Sequence, residues 1–256
     1  MTLFVQQIGS GPDLVMLHGW GLHSGLWGEF AGQLARHFRL SLVDLPGHGR
    51  SQPYSRPLTL DSAVDDIAQA LVPLLERPAV VLGWSLGSLI ALGLASHHSD
   101  RFLKLVWIAG TPSFVARSDW PAGMAADTLA GFADGLQHDY RATLKRFISL
   151  NGGKGGDRQL LRNMQDNIFD RGEPSPQTLQ QGLAMLRDCD LRDSLSSLVH
   201  PLLVIQGSHD RLVHPDTIES IRLLHEADVV QLDGAGHAPF LNEPQRVARA
   251  IVEFAK

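Results

Sequence analysis

Apolar residues in this chain follow two rhythms. Short runs of aliphatic and β-branched residues alternate with longer segments in which apolar positions recur every three or four residues. The first rhythm predicts strands and the second helices. Strands are predicted at Leu3–Ile8, Leu14–His18, Leu40–Asp44, Ala79–Gly83, Leu103–Ala109, Leu202–Gln206 and Val229–Leu232. Several are apolar at almost every position, as strands covered on both faces must be. A helix is predicted over Leu60–Leu75, where Leu60, Val64, Ile67, Leu71, Leu74 and Leu75 fall at helical spacing and Thr59 suits the N-cap. Leu86–His97 predicts a second helix directly after a strand. Pro244 opens a last helix carrying Val247, Ile251 and Phe254. This alternation predicts an α/β fold with a mostly parallel central sheet flanked by helices.

The alternation fails between residues 113 and 198. That stretch shows helical spacing broken by Gly152-Gly153, Gly155-Gly156, Pro174 and Pro176, and no run that reads as a strand. A helical insertion in a βα series is expected to form a lid above the sheet. The chain then divides into a core, residues 1–112 and 199–256, and a helical lid, residues 113–198. The GGKGG run resembles a phosphate loop only superficially: no strand precedes it and no GKS or GKT ends it.

Charge and cysteine content narrow the partners. The net charge of −5 argues against general nucleic-acid binding. No apolar run reaches the roughly 18–20 residues needed to span a bilayer. The first residues, MTLFVQQIGSG, have neither a basic region nor a long apolar one, so a cytoplasmic location is expected. Cys189 is the single cysteine, which excludes an intrachain disulfide. The average charge conceals a basic window. Residues 141–162 hold Arg141, Lys145, Arg146, Lys154, Arg158 and Arg162 against one acid, Asp157, for +5, leaving −10 elsewhere. Such a patch on a lid is suited to docking an acidic partner; its plainer reading is a solvated helix face.

Four segments carry candidate chemistry. Gly83-Trp84-Ser85-Leu86-Gly87 lies between an apolar strand and an apolar helix. A sharp turn there would lift the Ser85 hydroxyl clear of the sheet as a nucleophile and aim helix N–H groups at the reacting carbonyl. Alone, the motif is also compatible with an ordinary strand-to-helix turn. His18-Gly19-Trp20-Gly21 follows an early strand. The N–H groups of Trp20 and Leu86 are the expected oxyanion donors, with His18 ordering the loop. His237, in Gly236-His237-Ala238-Pro239, follows the final strand and is the expected base. Asp210, after the penultimate strand, is the expected acid that orients it; Asp190 and Asp216 are the alternative carboxylates. His97, His98, His138, His200, His209, His214 and His225 fit surface or turn roles and offer no metal-ligand spacing, so neither a metal nor an organic cofactor is expected.

HGWG, LPGHGRS, GWSLG, GSHDRLV and GHAPF together resemble the α/β-hydrolase superfamily over essentially the whole chain. HGWGLHSGLW, VDLPGHGRS, LGWSLGSLIA, RFISL and AGHAPF are most similar to the pimeloyl-acyl-carrier protein methyl ester esterases of bacterial biotin synthesis. The resemblance implies a cytoplasmic, monomeric serine esterase that releases methanol from a carrier-bound ester. It implies substrate contacts at Trp20, Ser85, Leu86, Phe147, Ile148, Ser149, Leu150, Asn151 and His237. It implies carrier-protein docking by Arg146, Arg158 and Arg162, and less directly by Arg141 and Lys145, because Ala142 stands where the family has an arginine. A small-ester esterase or a carbon–carbon bond hydrolase would share the same three catalytic residues. A non-enzymatic ligand receptor on this fold is the third reading.

Overall fold

The computed structural model describes residues 3–153 and 158–256. Seven strands form one sheet: β1 Val5–Ile8, β2 Asp13–Leu17, β3 Arg39–Val43, β4 Ala79–Trp84, β5 Phe102–Ile108, β6 Leu202–Gly207 and β7 Ala227–Leu232. Their spatial order is β1-β3-β2-β4-β5-β6-β7. β1 runs antiparallel to β3, and the other pairings are parallel. The helices, in chain order, are α1 Gly28–Leu34, α2 Leu60–Leu71, α3 Leu86–His97, α4 Ala126–Ser149, α5 Arg158–Asn167, α6 Pro176–Asp188, α7 Arg192–Ser196, α8 Thr217–Leu224, α9 Pro239–Asn242 and α10 Pro244–Ala255.

All seven predicted strands are present, with ends shifted by one to two residues. β2, β4 and β6 are buried at every position, which is why they read as unbroken apolar runs. α2 begins where predicted: the Thr59 hydroxyl accepts from the Ser62 N–H, and Ser62 returns the bond in a capping box. It ends earlier than predicted. Pro73 has no N–H to give the helical ladder, and Val72–Leu74 tightens into a 3-10 turn.

Between β5 and β6 lie α4 to α7, with no strand longer than an isolated bridge among the described residues. α4 is interrupted at Asp139, whose backbone leaves the helical region (φ −153°, ψ 94°). Its carboxylate accepts from the Ala142 N–H at 3.0 Å, so Asp139 caps the second half of the helix. α4 packs against α5 and α6, whereas α7 packs against α3 and α8. The core holds the fully buried Trp20, Trp84, Trp107, Phe102 and Phe240. Among the described residues no helix is long and apolar enough to cross a membrane.

Candidate active site

The carboxyl ends of β2, β4, β6 and β7 bring four loops to one sheet edge. Ser85 follows β4 directly and stands at φ 54°, ψ −121°, a conformation that residues other than glycine rarely hold. Two glycines make this turn possible. A Cβ on Gly83 would lie 2.3 Å from the Gly87 carbonyl oxygen, and one on Gly87 would lie 2.4 Å from that of Leu17. The elbow and the HGWG loop therefore approach as bare backbone.

Ser85 Oγ lies 2.8 Å from His237 Nε2, and His237 Nδ1 lies 2.8 Å from Asp210 Oδ2. All three side chains are buried. An ionised carboxylate can only accept, so Nδ1 carries the imidazole proton and Nε2 is left to accept from the Ser85 hydroxyl. Asp210 is itself held. Its Oδ1 accepts from the Leu212 and Val213 N–H groups, and Oδ2 also accepts from the Gln206 amide at 2.9 Å. Gln206 was not singled out in the sequence, although a polar residue ending an apolar strand is a visible signal. Asp190 pairs with Arg192 and Asp216 with His214; neither meets His237.

The HGWG loop is braced by two buried histidines. His18 accepts from the Leu45 N–H at 2.9 Å and donates to the Gly19 carbonyl. His48, from the LPGHGRS turn, accepts from the Gly21 N–H at 3.3 Å and donates to the Pro46 carbonyl. Burial pushes both rings down, His18 to about 3, helped by its neighbour His48, and His48 to about 4. Both are therefore neutral at physiological pH, as an accepting nitrogen requires. The sequence shows the LPGHGRS turn but not this role of His48, because its partner lies 27 residues away. Among the described residues, neither the Trp20 nor the Leu86 N–H meets an acceptor. The Trp20 indole N–H donates to the Leu179 carbonyl of α6 at 2.9 Å.

Comparison with known proteins fixes the lineage. The α/β-hydrolase fold family matches residues 12–244. The chain is 40% identical over 261 residues to a pimeloyl-acyl-carrier protein methyl ester esterase of Nitrosospira multiformis, covering 100% of this chain and 99% of that protein. It is 37% identical to the protein of the same name from Vibrio cholerae, covering 100% and 98%. The chain belongs to this esterase family. Among solved structures, an esterase from Exiguobacterium antarcticum superposes with a TM-score of 0.91 at 25% identity, covering 98% of this chain and 94% of that one. A bromoperoxidase from Bacillus anthracis reaches 0.90 at 21% identity, covering 99% and 95%, a likeness of fold alone.

In this esterase-family chain the segment expected to contact substrate lies at the end of α4 and divides by face. Phe147 is buried, its ring 5.1 Å from Trp20 and 6.4 Å from His237. Ile148 is buried in the core and Leu150 packs against it. Ser149 faces outward, its hydroxyl donating to the Lys145 carbonyl and accepting from Gln165. Asn151 is fully buried; its amide donates to the Phe147 and Ile148 carbonyls, and its own carbonyl accepts from the Ala238 N–H. Of the basic residues, Lys145, Arg146 and Arg162 are exposed, and no carboxylate among the described residues pairs with them. Arg141 pairs with Glu173 and so is already engaged. The Arg158 side chain and Lys154–Asp157 lie outside the described residues. Cys189 is half-buried, and burial, then Asp188, pushes its thiol up to about 11, so it offers no reactive thiolate.

Proposed function

We propose that this protein hydrolyses the methyl ester of pimeloyl-acyl-carrier protein, giving methanol and the carrier-bound free carboxylate for biotin synthesis. The observation that carries the reading is the relay of 2.8 Å contacts from Ser85 through His237 to Asp210, in a member of this esterase family. His237 Nε2 takes the Ser85 proton as Oγ attacks the ester carbonyl carbon. The carbonyl electron pair moves to oxygen, where the Trp20 and Leu86 N–H groups receive the negative charge. Collapse breaks the carbon–oxygen bond to the methoxy group, which leaves as methanol with the proton from His237. Water then attacks the acyl-Ser85 ester, gives its proton to His237, and Ser85 departs reprotonated.

Residues 113–198 serve as the lid in this proposal, with Phe147 and its neighbours lining the acyl channel. Exposed Lys145 and Arg146 on α4, and Arg162 on α5, receive the acidic carrier protein, with Arg158 a further member of the set. The exposure of Lys145, Arg146 and Arg162, which meet no carboxylate among the described residues, in a chain of net charge −5 supports this docking role. The test compares methyl pimeloyl-acyl-carrier protein with free methyl pimelate at two ionic strengths. At low salt the carrier-linked ester should show kcat/KM higher by about tenfold or more, and added salt should shrink that gap. Equal efficiency on both esters at both salts would refute carrier docking.

A further inference from the structure

The residue between Gly83 and Ser85 is Trp84, the last residue of β4, and its side chain is fully buried. Its indole N–H donates to the His237 carbonyl oxygen at 2.8 Å. That carbonyl belongs to the peptide group joining His237 to Ala238. The N–H of the same peptide group donates to the Asn151 carbonyl at 3.3 Å. A peptide group is planar, so a hold at each end fixes its orientation and with it the direction of the preceding side chain. The shorter bond is the indole's, and it comes from the strand that also delivers the nucleophile. Phe240 crosses Trp84 edge-to-face at 5.0 Å, and Trp27 packs against both rings, leaving the indole no room to swing.

We propose that Trp84 is a positioning residue for the hydrolysis, setting the His237 imidazole against Ser85 through this one hydrogen bond. The proposal rests on the esterase reading above. Smaller residues at the same place could fill the strand end, but they lack a donor that reaches across to the loop after β7. Loss of the N–H leaves a buried carbonyl unpaired and lets the His237 peptide rotate, so the imidazole spends less time in line with Oγ. Ground-state binding of the ester does not depend on that alignment, so kcat should carry the effect.

The experiment replaces Trp84 with benzothienylalanine, which keeps the shape and puts sulfur in place of N–H, and with 4-fluorotryptophan, which keeps the N–H. The sulfur isostere should lower kcat for methyl pimelate by about 3- to 15-fold with KM within about twofold. Inactivation by a fluorophosphonate, which needs the Ser85–His237 pair but no carrier, should slow by the same factor. The low-field proton signal of the His237 Nδ1–H should move or broaden, and 4-fluorotryptophan should restore all three. Phe102→Leu, which loosens the core at the start of β5 and touches neither the indole nor its hydrogen bond, should lower Tm and leave kcat within about twofold. Equal kcat and labelling rates for the isostere and the fluorinated control overturn the proposal, as does a change confined to KM. Ser85→Ala, assayed in parallel, separates the two readings. An inactive Ser85→Ala beside an unaffected isostere ends the positioning role alone, whereas retained turnover in Ser85→Ala ends both.

Discussion

At the scale of single residues, Ser85 holds its hydroxyl in reach of His237 only by accepting a backbone conformation at φ 54° that an L-residue pays for in strain. Glycine adopts that conformation freely. Ser85→Ala and Ser85→Gly should both lose turnover by at least about 10⁴-fold. The glycine variant should nevertheless be about 1 kcal/mol more stable than the alanine variant in urea unfolding. Equal stabilities would mean that the turn is held without strain. Gln206 offers a second test. Its amide is one of three donors on the Asp210 carboxylate besides His237, so Gln206→Met should reduce kcat by about 3- to 10-fold while KM stays within about twofold. Ser85, Asp210 and His237 were legible as candidates in the sequence because each follows a strand of the series within a glycine-containing segment. Gln206 and Trp84 were not, because what they do depends on a partner across the sheet edge.

At the scale of elements, legibility follows burial. β2, β4 and β6 are covered throughout and could be read from apolar content alone. Apolar spacing runs on past Pro73 and predicts too long an α2, because the missing N–H outweighs it. The cap at Asp139 inside α4 leaves no mark on the sequence pattern, because apolar spacing carries on across the break. The elbow itself depends on close backbone approach, so Gly83→Ala should disrupt it: the added methyl meets the Gly87 carbonyl oxygen at 2.3 Å, and that backbone cannot yield without moving Ser85. The expected outcome is a loss of about 2 kcal/mol or more in stability with turnover lost beyond that proportion. The measurements are urea unfolding and fluorophosphonate labelling of the folded fraction.

At the scale of the whole molecule, the two neutral histidines tie stability to pH. In the unfolded chain each ring titrates near 6.5, whereas burial holds His48 at about 4 and His18 lower still. Between those limits the unfolded chain takes up protons that the native fold refuses. Stability from these groups is therefore complete above about pH 6.5 and declines as the pH falls toward 4. Urea midpoints measured from pH 7.5 to 4.5 should drop accordingly, and His48→Gln should flatten the slope. The charge of the proposed docking surface gives a second whole-molecule test. Arg146→Glu with Arg162→Glu should cut kcat/KM for the carrier-linked ester by about tenfold at low salt and leave methyl pimelate unchanged. The bond from the Trp20 indole to the Leu179 carbonyl reaches furthest. It fastens the loop expected to receive the oxyanion to α6 of the proposed lid, so lifting α6 to admit a bulky acyl arm would slacken that loop. A gaping enzyme would load without cutting, and stray esters drifting through an open roof would leave intact.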